Sequence, residues 1–294
     1  MVNMSKPKVL ILSLVIICGL GLFFWNDLLN IYSEFSLKLP QIGEEVTNFL
    51  SKEVEKVILT PPPLRSGADN PQSVLTQKGV INWTNSQRAK YGLPPLSENS
   101  ELDKMAEAKV DDMFKNQYFD HISPSGQGVG DLVKNFGYEF IVIGENLALG
   151  DYKNDEDLVQ AWMDSPGHRE NILNDRYQEI GVAVKKGVFE GRTTWLAVQH
   201  FGLSLSVCPS PDEKIKSAIE LNQDKIGSLQ TTLNNLKIEI QNMRPKRGEL
   251  YNQKIEEYNN LAAQYNNLVE QTKALIYQYN IQVNKFNECV ATGG

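Results

Sequence analysis

The sequence predicts an α+β domain of layered helices and antiparallel strands, preceded by a transmembrane helix and followed by an antiparallel helical hairpin. Three observations predict it. Residues 9–25 (VLILSLVIICGLGLFFW) run for seventeen positions without a charge. Residues 73–207 show helical apolar periodicity first and strand alternation later. Beyond residue 207, apolar side chains recur at 3-4 spacing on both sides of a Pro-Lys-Arg-Gly breaker, as in a coiled coil. These patterns divide the 294 residues into an anchor (1–30), an amphipathic segment and Pro-rich linker (31–72), a central domain (73–207) and a helical arm (208–294).

At about 1.5 Å per residue the apolar run reaches roughly 25 Å, a little short of a ~30 Å hydrocarbon core unless Leu28 and Leu29 extend it. Lys6 and Lys8 precede it, and Phe23, Phe24 and Trp25 close it like an interfacial aromatic belt. A cleaved signal peptide is the rival reading, but no small-x-small cleavage site follows. The expectation is therefore a single-pass anchor in the cell membrane with the bulk of the chain extracytoplasmic, and Cys18 inside it as a small apolar residue. Ile42, Val46, Phe49, Leu50, Val57 and Ile58 then recur at helical spacing. Such a helix suits a membrane surface, a partner or a stalk. Pro61, Pro62 and Pro63 end it and open an extended linker through Gln72.

In the central domain, residues 73–91 and 97–118 read as helices, the second with Ser97 as N-cap and Leu102, Met105, Ala106, Lys109, Val110 and Met113 on one face. A loop rich in Gly, Ser and Pro (119–130) carries His121. A short helix (131–136), a strand (138–143) leading into Glu145-Asn146, and a helix (154–163) follow. Pro166-Gly167 is expected to stop that helix and leave His168 at a bend. Residues 178–185 and 192–201 alternate as an antiparallel pair. The domain holds 13 basic and 19 acidic residues and the arm 10 of each, so no basic footprint marks nucleic acid as a partner.

The three histidines, His121, His168 and His200, all fall within the central domain. Five ordered stretches carry more information: FDHISPSG (119–126), IGENLALG (143–150), AWMDSPGHRENIL (161–173), IGVAV (180–184) and WLAVQHFG (195–202). Together with NSQRAKYGLPPL (85–96) they resemble the CAP superfamily of cysteine-rich secretory, antigen-five and pathogenesis-related proteins, in its bacterial SCP-like branch. The resemblance covers residues 73–207 and implies an α-β-α sandwich. It also implies a cleft lined by two His and two acidic residues, where some members bind a divalent metal. Carried over, these are His121, Glu145 and His168. The fourth position, Glu in animal members, is Ser165 here. His200, often Asn in the family, reads as packing at a strand end.

Two imidazoles and one carboxylate match the protein ligand count of a catalytic zinc, with water as fourth ligand, but no HExxH spacing accompanies them. A hydrogen-bonded His-Glu cluster lining an apo groove fits the same residues. Ser123, Ser125 and Ser165 lie near the histidines, and no GxSxG elbow accompanies them. The family's better-supported property is binding of sterols, fatty acids or peptides. The expected function is a binding or interaction module with a groove at His121, Glu145, His168 and Ser165 for a lipid or peptide-like ligand. The alternative is a metal-assisted hydrolase using His121, Glu145 and His168.

In the arm, Ile215, Ile219, Ile226, Leu229, Leu233, Leu236, Ile240 and Met243 form one seam. Tyr251 through Phe286 form a second, with EYNNLAA and QYNNLVE as a seven-residue repeat. A hairpin turning near residues 245–248 would bring Cys208 and Cys289 together within about four residues, or ~6 Å along a helix. A disulfide between them is therefore expected, with a bridge or helix pairing between chains as the alternative.

Overall fold

A computed structural model describes residue 46 and residues 49–67 and 70–293. The apolar run at residues 9–25, with Cys18, lies outside the described residues. Among those described, no helix is long and apolar enough to cross a membrane. The described residues form two compact units: one within residues 51–211 with 282–293, the other of residues 46, 49 and 50 with 212–281.

The first unit is a six-stranded mixed sheet between two helical layers. Its strands are β1 (Val57–Leu59), β2 (Leu64–Arg65), β3 (Ser97–Glu98), β4 (Phe140–Leu149), β5 (Glu179–Phe189) and β6 (Arg192–Ser204). The order across the sheet is β1-β4-β6-β5-β3, with β2 also on β4. The helices are α1 (Gln77–Lys90), α2 (Ser100–Asn116), α3 (Val129–Phe136), α4 (Asp155–Asp164) and α5 (Pro166–Ile172). Every residue of β4 is buried, as a strand covered on both faces requires. Val80, Leu158, Trp162 and Ile172 of α1, α4 and α5 cluster with Val142, Val182 and Phe201 of the sheet. Ala106, Val110 and Met113 of α2 cluster with Leu147, Ala183 and Val198, so α2 covers the opposite face. Gly181 lets α2 approach closely: a Cβ there would sit 2.2 Å from the Leu102 backbone.

Several sequence expectations change. The Pro-rich linker is part of the sheet, because β1 and β2 pair in parallel with β4; residues 57–59, placed at the end of an amphipathic helix, are strand β1. The second helix is capped by Asn99, whose side chain accepts from Glu101 and Leu102 N–H groups, while Ser97 lies in β3. Strand β4 continues through Glu145 and Asn146. Pro166 does not leave His168 at a bend: it occupies the first turn of α5, where a missing N–H costs nothing, and His168 lies within that helix.

The second unit is built on α6 (Glu213–Asn242) and α7 (Glu249–Thr292), the latter divided between the two units at residue 281. Ile226, Leu233, Leu236 and Ile240 of α6 cluster with Tyr258 and Tyr265 of α7. Lys254 pairs with Glu239 across the turn, and Glu213, Lys216 and Glu220 lie close enough to act on Tyr279. The helices therefore run antiparallel. The end of α7 does not belong to a separate arm, since Phe286 and Val290 join Cys208 in the core of the first unit. There Cys208 and Cys289 are bonded, with their Cα atoms 5.7 Å apart.

Closing an 81-residue separation constrains the unfolded chain, and such bridges contribute about 2–4 kcal/mol. The Cys208→Ser/Cys289→Ser variant is expected to lose about that much in urea unfolding, and non-reducing peptide mapping of the parent should recover the two peptides linked within one chain. A Cys208 peptide recovered unlinked, or an unchanged unfolding midpoint, would contradict this.

Candidate functional site around Glu145

Glu145 and His200 face one another in the register of β4 and β6, so their side chains leave the sheet on the same face, the one covered by α2. His200 Nε2 lies 2.8 Å from Glu145 Oε2, and His121 Nδ1 lies 2.6 Å from Oε1. Glu145 and His200 have no solvent exposure and His121 has 7%. His121 sits on the loop between α2 and α3. That loop is fixed by a buried lysine: Lys109 Nζ of α2 donates to the His121 carbonyl at 2.8 Å and to Tyr118 Oη at 3.2 Å. His121 Nε2 in turn meets the Pro61 carbonyl at 2.5 Å.

His168 arrives on α5. Its Nδ1 lies 2.8 Å from Ser165 Oγ, and its buried Nε2 has no partner among the described residues. Two devices hold α5 in place. Asn146 of β4 donates to the His168 carbonyl at 3.2 Å and accepts from Asn171 Nδ2 at 2.9 Å. Buried Arg88 of α1 donates to the carbonyls of Ile172 and Asn174 at 2.8 Å each. It thus places a cation at the C-terminal end of the helix, where carbonyls are left over.

A family model for the cysteine-rich secretory protein family (CAP) matches residues 81–201, a span that contains Glu145 and all three histidines. The domain belongs to the CAP family. YkwD of Bacillus subtilis (strain 168), an uncharacterized protein, is 44% identical over 119 residues, covering 40% of this chain and 44% of YkwD. YlbC of the same organism, an uncharacterized membrane protein, is 32% identical over 111 residues, covering 38% of this chain and 32% of YlbC. The chain thus spans less than half the length of either relative. Among solved structures, an extracellular protein containing an SCP domain from Bacillus anthracis str. Ames is 29% identical. That match covers 43% of this chain and 39% of that one, with a TM-score of 0.37.

Within this CAP domain the site differs from expectation at His200. His200 is not strand-end packing: register pairs it with Glu145, whose charge could not be buried without such a partner. The candidate metal ligands His121, Glu145 and His168 have protein partners in this arrangement. Both oxygens of Glu145 and both nitrogens of His121 already face partners, and His168 Nδ1 faces Ser165. A cation needs several lone pairs converging on one point, and among the described residues no three His, Cys, Asp or Glu side chains offer that. Lys109 and His200 are the members that sequence reasoning missed as site residues. A lysine on an otherwise apolar helical stripe was the signal available for the first.

Burial alone would raise the Glu145 pKa. Hydrogen bonds from His121 and His200, with the charges of His200 and Lys109, outweigh it and hold the carboxyl at about 2. Burial, reinforced by the charge of His121, lowers His168 to about 4, so it is neutral at pH 7. The effects on stability have the same sign in adjoining windows. The unfolded chain binds a proton at His168 between about pH 6.5 and 4, and at Glu145 between about 4.5 and 2, so stability falls as pH falls through each. Urea unfolding from pH 7 to pH 4 should show this loss in the parent and a flatter profile in His168→Leu. Parallel profiles would contradict the buried neutral imidazole.

Proposed function

We propose that the chain is an extracytoplasmic binding module, tethered to the membrane by its N-terminal apolar run, whose CAP domain recognises a lipid or peptide-like ligand beside His121 and His168. The observation that carries this reading is the state of Glu145. It is fully buried, held ionised, and engaged at both oxygens. A general base must present a free lone pair to a reacting proton, so the cluster acts as a fixed electrostatic support for His121.

Two features favour ligand recognition at its border. His168 Nε2 is a buried polar atom with an unmet hydrogen bond, which a ligand group or water would satisfy. A cavity of about 580 Å³, lined by Ile58, Thr60, His121, Ile122, Val129 and Phe140 among others, lies within the usual range for small-molecule sites. Location outside the cytoplasm is supported by the Cys208–Cys289 bond, which persists in oxidising compartments, and by the membrane character stated for the relative YlbC.

The full chain, purified in detergent, should carry a co-purifying lipid or peptide in native mass spectrometry. The His168→Leu variant, folded by circular dichroism, should lose it. An equal ligand load in both proteins, or none in either, would contradict the reading.

A further inference from the structure

The segment Val57–Arg65 is bound to the domain in the manner of a docked peptide. Its solvent exposure alternates from residue 57 to 63: Val57, Leu59, Pro61 and Pro63 are half-buried, Ile58, Thr60 and Pro62 are exposed, and none is fully buried. A core strand would be covered on both faces; an added strand inserts alternate side chains and relies on main-chain pairing. The pairing is present at both ends, Val57–Leu59 against Val142–Gly144 and Leu64–Arg65 against Ala148–Leu149. Between them the segment takes five residue steps where β4 takes four, so it bulges away from the strand.

The three prolines lie in that bulge and have no N–H to offer β4. Side chains of the domain serve the β4 carbonyls there, Asn171 Nδ2 that of Glu145 at 3.4 Å and Trp162 Nε1 that of Leu147 at 3.3 Å. The domain also reads the segment's own carbonyls: Asn171 Nδ2 donates to Leu59 at 3.3 Å, and His121 Nε2 to Pro61. Gly167 clears the path for the proline ring, since a Cβ there would lie 2.7 Å from Pro61 Cβ. Carbonyl readers, a cleared path for a ring and β4 carbonyls served without the segment together describe a site for a proline-containing extended chain.

We propose that the groove along β4 over His121 is a recognition site for extended proline-containing peptides, entered parallel to β4, and that residues Val57–Arg65 occupy it as an intramolecular ligand. This rests on the binding-module reading above and names the ligand class. An external peptide enters when the resident segment leaves.

The test uses the full chain in detergent and a fluorescent peptide of sequence VILTPPPLR, read by anisotropy. The parent should bind it at least tenfold more weakly than a Leu59→Asp/Leu64→Asp variant, in which two half-buried charges expel the resident segment. His121→Ala in that background should weaken binding by tenfold or more. Pro61→Gly/Pro62→Gly/Pro63→Gly leaves the apolar anchors in place, so it serves where the first variant does not fold, and it too should gain affinity. Equal affinity of the parent and a folded release variant, or no binding by any folded variant, overturns the proposal. If the peptide fails while a His168-dependent ligand is still found by mass spectrometry, the peptide class falls and the binding module stands. Loss of both ends both readings.

Discussion

A carboxylate sealed in a sheet is the constraint from which the rest of the site follows. Removing Glu145 from water costs several kcal/mol unless hydrogen bonds and charge replace the hydration. Its two oxygens are therefore assigned one each to His121 and His200, with the charge of Lys109 nearby. Each partner fixes something larger. His200 fixes which residues of β6 face the α2 layer, and a one-residue slip would turn it to the other face. His121 fixes a loop that has no regular structure of its own, and Lys109 secures that loop from the buried face of α2.

The same cluster determines which groups face the segment at its border. Glu145 and the Pro61 carbonyl are both acceptors, and the two ring nitrogens of His121 face one each, so one of them meets main-chain oxygen. His168, neutral and buried, contributes a polar atom that carries no charge. A surface that offers donors to carbonyls and half-covers alternate side chains is suited to extended chain. Residues 57–65 are the chain found there.

Much of this was legible in the sequence. The motifs around His121, Glu145 and His168 and the apolar stripe of α2 are local patterns, and the seam of α7 recurs every seventh residue at Tyr258, Tyr265, Thr272, Tyr279 and Phe286, all buried. What stayed hidden depends on pairing between distant residues. His200 sits among apolar neighbours in a strand, and only the register with β4 shows that it faces a carboxylate. The prolines at 61–63 read as a linker because they cannot donate to a ladder. The paired residues lie on either side of them, and sheet membership at 57–59 and 64–65 is decided by β4, more than seventy residues away. Pro166 was misread for a related reason: the same lack of an N–H that ends a helix also suits the first turn of a new one.

Direct titration of the Glu145 carboxyl, by carbon NMR on selectively labelled protein with Glu145→Gln to assign the signal, tests the buried ionised cluster most closely. The carboxyl should remain ionised through the mildly acidic range and titrate at about pH 2. A midpoint at or above the ordinary value of 4.5 would mean that His121 and His200 do not hold the charge, and the site would lose its organising interaction.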